Sequence, residues 1–238
     1  MIASINKLFR NFFCRGGHGV HSPFVFDLLT TVIEEKSDYY CYESLSFVRA
    51  QLRQDSSKIK YKGREYTVKD YLKKFCFSES ENKLLFRLAN RFKPELIYTT
   101  GSDLGLAPLY LTAYSKSSRC IAFESEEDIA AAARIFTDKY STSVDIQSSG
   151  KLDIQNNCSI NLFVFGKSSS TVFDEVVRYM NNESLMVVSG INASRESSIT
   201  WKKICEHPKV TVTLDLYSLG IVFFNPKLHR KTYKSVVL

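Results

Sequence analysis

The chain has 238 residues, 44% of them hydrophobic, and a formal net charge of +7. This length suits one large domain, or one domain with an extension, and the apolar content suffices for a substantial core. No apolar run approaches the roughly 18 residues of a membrane span, and the charged N-terminal stretch lacks the small-residue cleavage site of a secretory signal peptide.

Cysteine spacing and charge distribution narrow the class further. The six cysteines include no CxxC pair, which argues against a zinc site and a disulfide scaffold and favours reduced thiols in a cytoplasmic protein. Lys/Arg and Asp/Glu number 17 and 10 in residues 1–93, 11 and 15 in 94–226, and 4 and 0 in 227–238. Basic ends can attract nucleic acid or dock on the acidic middle of the chain. We favour docking, because no aromatic-and-basic nucleic-acid motif accompanies the charge.

Residues 1–38 begin with apolar positions at helical spacing over 2–14, which predicts a short amphipathic helix. A glycine-rich loop follows, and it carries His18 and His21. Ser22 and Pro23 then form an N-cap and first-turn pair for a helix that extends to about Glu35. The two histidines either make local hydrogen bonds or cover a pocket. A metal pair is disfavoured because no carboxylate or cysteine lies beside them.

Residues 39–93 are predicted to contain helices and loops only. An amphipathic segment covers 39–55, and a polar stretch with alternating lysines follows as an edge or exposed loop. Helices are predicted at 67–76 and 78–92, and the second has the capping box Ser78 and Glu81. The chain is therefore predicted to divide into an N-terminal helical extension, 1–93, and an α/β domain, 94–238.

The stretch from Pro94 to Glu124 has the pattern strand, glycine turn, helix, strand, acid. An apolar strand leads into a turn with Gly101 and Gly105, and a second strand ends at Glu124. Open α/β sheets build nucleotide pockets in this way, with glycines allowing close backbone approach and the acid accepting ribose hydroxyls. The alternative is a strand–helix–strand unit with no ligand.

Alternation of strands and helices continues to the C-terminus. Further strands are predicted at 144–146, 161–165 and 185–188, with helices at 126–136, about 170–181 and 194–205. The last predicted strands, 210–214 and 220–224, are too close for a helical crossover and must form an antiparallel hairpin. This is the strand order of the class I S-adenosylmethionine-dependent methyltransferase sheet.

Three separated stretches resemble a group of bacterial class I methyltransferases of Bacteroidetes type. They are HGVHSPFVFDLL (18–29), KLLFRLANRFKP (83–94) and HPKVTVTLDLYSLGIVFF (207–224). The resemblance implies a Rossmann-like, seven-stranded sheet with an antiparallel last strand, preceded by a helical extension. It also implies that S-adenosyl-L-methionine is the cofactor. The cofactor-binding residues assigned on this basis are Thr99, Gly101, Ser102, Gly105, Glu124, Ser148 and Phe165.

The site motifs depart from the family pattern where the family has acids. Thr99 replaces the acid that orients the methionine end of the cofactor, and Phe165 replaces the acid after the fourth strand. Ser189 and Gly190 stand where the family has two aspartates after the fifth strand. No hard oxygen cage for magnesium remains, so we expect no metal. The weak catalytic candidates that remain are His18, His21, Lys167 and Asn192.

Two functions therefore stay open at the sequence level. The first is a small-molecule methyltransferase with weakened cofactor and acceptor motifs. The second is a pseudoenzyme that keeps the fold as a binding or scaffold protein. RNA binding through the basic ends is a third and less favoured reading. The expected partner is a small-molecule acceptor, with no membrane span, and a homodimer is open.

Overall fold

The computed structural model describes residues 21–148, 152, 154, 161–166 and 172–235. These residues fall into two units, one drawn from Met1–Ser37 with Ser170–Leu238 and the other from Asp38–Ser169. The helix predicted at 2–14 lies outside the described residues, as do His18 and Lys167.

The Asp38–Ser169 unit begins with helices and a short hairpin, then alternates strands and helices. Its helices are α2 (Tyr42–Gln54), α3 (Val68–Phe75), α4 (Glu79–Phe92), α5 (Leu106–Thr112) and α6 (Glu127–Tyr140). Its strands are β1 (Lys58–Tyr61), β2 (Arg64–Thr67), β3 (Leu96–Thr100), β4 (Arg119–Phe123), β5 (Val144–Gln147) and β6 (Asn161–Phe165). Strands β3 to β6 are parallel, in the order β6-β3-β4-β5.

The other unit contains the remaining elements. They are α1 (Pro23–Leu28, continued by a π-helical turn, Leu29–Ile33), α7 (Phe173–Val176), β7 (Leu185–Ser189), α8 (Arg195–Glu206), β8 (Val212–Asp215), β9 (Leu219–Phe223) and β10 (Lys231–Lys234). Their strand order is β10-β8-β9-β7, with β9 antiparallel to both neighbours and β10 parallel to β8. The two sets of four strands belong to one mostly parallel eight-stranded sheet.

The expected sheet order and the antiparallel hairpin are confirmed, with two corrections. The sheet has eight strands among the described residues, not seven, because β10 adds to the edge beside β8. The antiparallel strand is β9, so it is not the last strand of the chain. The prediction of helices and loops alone before residue 94 is also wrong, because β1 and β2 form an antiparallel hairpin.

Local signals account for where several helices begin and end. Ser78 caps α4 by accepting from the N–H of Glu81, and the Glu81 carboxylate accepts from the N–H of Ser78. Lys93 ends the same helix in a left-handed conformation, with φ of 50°. Ser22 caps α1 and Pro23 occupies its first turn. Such caps satisfy backbone groups that have no partner inside the helix.

The central strands β3, β4 and β6 are mostly apolar. All five residues of β3 are buried, as expected for parallel strands covered on both faces. The Tyr98 ring stacks on Phe163 of β6, with centroids 4.8 Å apart, and on Phe123 of β4, 6.2 Å away. This aromatic row fixes the register of three neighbouring strands and positions their carboxyl ends together.

Candidate functional site

A bend with an unusual backbone follows β3. Gly101, Asp103, Leu104 and Gly105 have φ of 85°, 51°, 53° and 86°, all in the left-handed region. The N–H of Gly101 donates to the carbonyl of Phe123 at 2.7 Å, which ties the start of the bend to β4. Left-handed conformations at non-glycine residues cost free energy, and they cluster at functional sites.

The two glycines of the bend have different surroundings. A Cβ on Gly105 would lie 2.7 Å from Cγ2 of Thr137 and 3.2 Å from the carbonyl oxygen of Ala133, both on α6. A Cβ on Gly101 would meet nothing within 4 Å. Gly105 is therefore required for packing against a helix, whereas Gly101 faces open space that a ligand can occupy.

Glu124, which directly follows β4, is bonded to the same bend. Its Oε2 accepts from the N–H of Ser102 at 2.9 Å and from the Ser102 hydroxyl at 3.0 Å. Its Oε1 accepts from the N–H of Glu126 at 3.2 Å. Glu124 is 5% exposed and Ser102 is fully buried. The acid and the bend thus lie side by side at the carboxyl ends of β3 and β4.

Asp103 is a second carboxylate of the bend, and it is not among the site residues predicted from the sequence. Its Oδ1 accepts from the N–H of Phe77 at 2.8 Å, and its Oδ2 accepts from the N–H of Ala107 at 3.2 Å. The side-chain amide of Asn82 also donates to Oδ2, at 3.4 Å. Burial raises the pKa of Asp103 to about 6, and the hydrogen bond from Phe77 opposes that rise. Asp103 could have been identified from the sequence as an acid that lies four residues before an N–H group at the start of a helix.

Two further predicted residues lie at the strand ends beside the bend. The hydroxyl of Thr99 donates to the carbonyl of Gly101 at 3.1 Å. Phe165 is buried and lies opposite Thr100 in the pairing of β3 with β6. Gly166 follows it, and a Cβ there would come within 2.5 Å of the Thr100 carbonyl oxygen. The structure therefore gathers Thr99, Gly101, Ser102, Gly105, Glu124 and Phe165 at neighbouring strand ends.

Three other candidate residues have contacts of their own. Ser148 is exposed, and its hydroxyl donates to the carboxylate of Glu127. Asn192 belongs to the other unit, and its side-chain amide donates to the carbonyl of Tyr217 at 3.0 Å. His21 is exposed and also belongs to that unit. Cofactor binding by Ser148 and a catalytic role for His21 or Asn192 remain predictions.

In the part of the chain that the structure describes, no group of three or more His, Cys, Asp or Glu side chains is arranged to hold a metal ion. Within the same residues, no helix combines the length and apolarity needed to cross a bilayer. The four described cysteines, Cys41, Cys76, Cys120 and Cys205, form no disulfide bond with one another.

Comparison with proteins of known structure identifies the fold of this chain. No protein-family model and no curated protein matches the sequence. Among solved structures, the O-methyltransferase from Bacillus cereus in complex with S-adenosylhomocysteine (SAH) matches with a TM-score of 0.57 and 14% identity, over 84% of this chain and 97% of that chain. The chain has the Rossmann-like fold of class I methyltransferases.

Two further structures support the same fold. A methyltransferase from Geobacter sulfurreducens matches with a TM-score of 0.55 and 16% identity, over 81% of this chain and 99% of that chain. The O-methyltransferase TomG from Streptomyces achromogenes, in complex with S-adenosylmethionine (SAM), matches with a TM-score of 0.53 and 12% identity, over 84% of this chain and 96% of that chain. At these identities the likeness establishes the fold and leaves the activity to be argued from the site.

Proposed function

We propose that this chain is a SAM-dependent methyltransferase of small-molecule type, within the bacterial group marked by the HGVHSPF motif. The observation that carries the proposal is the direct hydrogen bonding of Glu124 to the bend after β3, with open space at Gly101. In open α/β sheets, ligands bind outside the carboxyl ends of the strands. The matched O-methyltransferases that hold SAH or SAM share this fold, which supports the proposal.

The residues present fit a nucleoside at this place. In this proposal the Glu124 carboxylate, directly after β4, accepts the ribose hydroxyls. Gly101 allows a ligand to approach the backbone, since no side chain covers it. Bound SAM would supply a methyl group on a sulfonium, and the acceptor would need only alignment and loss of a proton.

We also propose that the reaction uses no divalent metal. Phe165 ends β6, Ser189 ends β7 and Gly190 follows β7, at positions where carboxylates would be needed to hold magnesium. Magnesium takes hard oxygen ligands, and one or two carboxylates usually anchor it. The chain offers a phenyl ring, a hydroxyl and a hydrogen at these three positions.

A second function, a non-catalytic binding or scaffold protein, is favoured by one specific observation. Carboxylates of the chain itself already accept from several N–H donors in and beside the bend. Asp103 occupies the N–H groups of Phe77 and Ala107, and Glu124 occupies that of Ser102. A ligand that needed these donors would have to displace a carboxylate. In this reading, the fold is retained and SAM does not bind.

Calorimetric titration with SAH separates the two functions. We expect a dissociation constant in the micromolar range for the methyltransferase, and no heat at roughly millimolar SAH for the scaffold. Adding magnesium should leave the affinity unchanged if no metal takes part.

Glu124→Gln tests the site itself. Loss of one charged hydrogen-bond partner should weaken SAH binding about ten- to a hundred-fold. Asp138→Asn, an exposed acid in the last turn of α6, is the control and should bind like the wild type. Thermal melts of both variants verify folding. A folded Glu124→Gln variant with unchanged SAH affinity would show that the nucleoside does not lie at this bend.

A further inference from the structure

A basic pocket of about 410 Å³ opens within the Asp38–Ser169 unit, on helices that precede the parallel strands. Its lining consists of Arg49, Arg53, Lys69, Leu72, Lys73, Cys76 and Ser78. Four of these seven residues are cationic. The size suits a small anionic group with a few attached atoms, not a macromolecule.

The cations come in pairs from two helices that pack together, α2 and α3. Arg49 and Arg53 are four residues apart on α2, and Lys69 and Lys73 are four apart on α3. Residues at this spacing share a helix face, and like charges there destabilise a helix by a few tenths of a kcal/mol. Two such pairs at one opening repel each other, and an anion bound between them would relieve that repulsion.

Arg49 gives the second, independent indication. It is 5% exposed, and its Nη2 donates to the carbonyl of Phe77 at 2.8 Å. Its Nε and Nη1 are buried and have no hydrogen-bond partner among the described residues. Buried charged donors left unpaired are costly, and the guanidinium fork matches the oxygens of carboxylate and phosphate.

Nearby acids leave the pocket with an excess of positive charge. Glu79 lies 3.9 Å from Arg53 and 3.3 Å from Lys83, and it also accepts from Ser46. Asp103 attracts Arg49 electrostatically, but its oxygens accept from Phe77, Ala107 and Asn82. No acidic side chain is among the seven described lining residues.

We propose that this pocket binds the phosphate or carboxylate group of a small molecule. Arg49 provides the buried fork, and Arg53, Lys69 and Lys73 surround the open side with charge. The site is distinct from the bend that we assign to the nucleoside, and the proposal stands whether or not SAM binds.

The first experiment uses inorganic phosphate and acetate as probes on the full chain without SAM or SAH. Isothermal titration is run with chloride adjusted to constant ionic strength. We expect saturable phosphate binding in the millimolar range or tighter. Saturation by phosphate alone supports a phosphate ligand, and saturation by both probes supports a general oxyanion site that includes carboxylates. No saturation by either probe up to about 20 mM would overturn the proposal.

A pair of double variants separates a built site from general charge. Lys69→Gln with Lys73→Gln removes two pocket cations, and we expect phosphate affinity to fall about ten-fold or more. Lys62→Gln with Lys74→Gln removes the same charge outside the pocket lining, at lysines that lie over the Tyr61 and Tyr66 rings. This control should change the affinity less than about two-fold. Equal losses of phosphate affinity in the two double variants would show that overall charge alone causes the effect. That result would overturn the proposed site.

Discussion

At the scale of single residues, Asp103 combines a buried carboxylate with a left-handed backbone, at φ of 51°. Its neighbours are backbone N–H groups, which stabilise the charged form, while burial favours the neutral form and raises the pKa to about 6. The bend after β3 therefore depends on a group that titrates only about one pH unit below neutrality.

This pKa makes the stability of the fold depend on pH. The folded-state pKa, about 6, is above the ordinary value of 3.8, so the folded state binds more protons between these two values. The free energy of unfolding should therefore fall as pH rises from about 4 to about 6, by about 3 kcal/mol at most.

Urea unfolding across this pH range measures the effect. Asp103→Asn should remove this pH-dependent part of the free energy of unfolding. The difference in unfolding free energy between wild type and variant should therefore change between about pH 4 and about pH 6 by the amount given above. The exposed acid variant Asp138→Asn should keep the wild-type profile. An Asp103→Asn profile parallel to that of the wild type would contradict the assignment.

At the scale of elements, the bend is held against α6 by a glycine without a side chain. Gly105 has φ of 86°, and a Cβ there would lie 2.7 Å from Thr137. Gly101 has nearly the same φ, 85°, without any neighbour within 4 Å. The two positions share a backbone requirement and differ in helix packing, which makes them a matched pair.

Substituting alanine at each glycine should separate the cost of the left-handed backbone from the cost of steric overlap with α6. Gly101→Ala should destabilise by about 1–2 kcal/mol, from the backbone alone. Gly105→Ala adds the steric overlap with α6, and we expect about 2–4 kcal/mol in total. Urea unfolding at neutral pH measures both. Equal losses would mean that α6 moves away from the bend at little cost.

At the scale of the whole molecule, the hairpin of β1 and β2 is hydrogen-bonded to the start of α6. The N–H groups of Lys60 and Lys62, in the basic hairpin region, donate to Asp128 and Glu126 at the start of α6, at 2.9 and 3.1 Å. These contacts are made by backbone N–H groups and not by the lysine ammonium groups, so docking of the basic stretch on the acidic middle of the chain stays a prediction.

The predicted docking of the basic stretch on the acidic middle of the chain bears on how tightly the protein can bind RNA. We expect only weak binding of a short single-stranded RNA, with a dissociation constant above about 10 µM near physiological salt, as for non-specific electrostatic contact. Fluorescence anisotropy at several salt concentrations measures this. Sub-micromolar affinity with a log–log salt slope steeper than about −4 would instead establish an extended phosphate-binding surface.

The amino-acid sequence by itself determined features that rest on local interactions. The capping box of Ser78 and Glu81, the cap at Ser22 and the apolar strands β3 and β6 all formed as predicted. Hydrogen bonds within four residues and the periodicity of apolar side chains govern these features. They were sufficient for the α/β class and for the order of seven strands.

Tertiary structure decided what depends on contacts distant in the chain. Strand β10, Lys-Thr-Tyr-Lys, has no apolar pattern and forms because β8 offers an unpaired edge. The role of Asp103 depends on Phe77, 26 residues earlier. The basic pocket exists because α2 and α3 place their cations on one opening. No local pattern encodes these pairings, since they are fixed only when the packed elements bring distant groups within hydrogen-bonding distance.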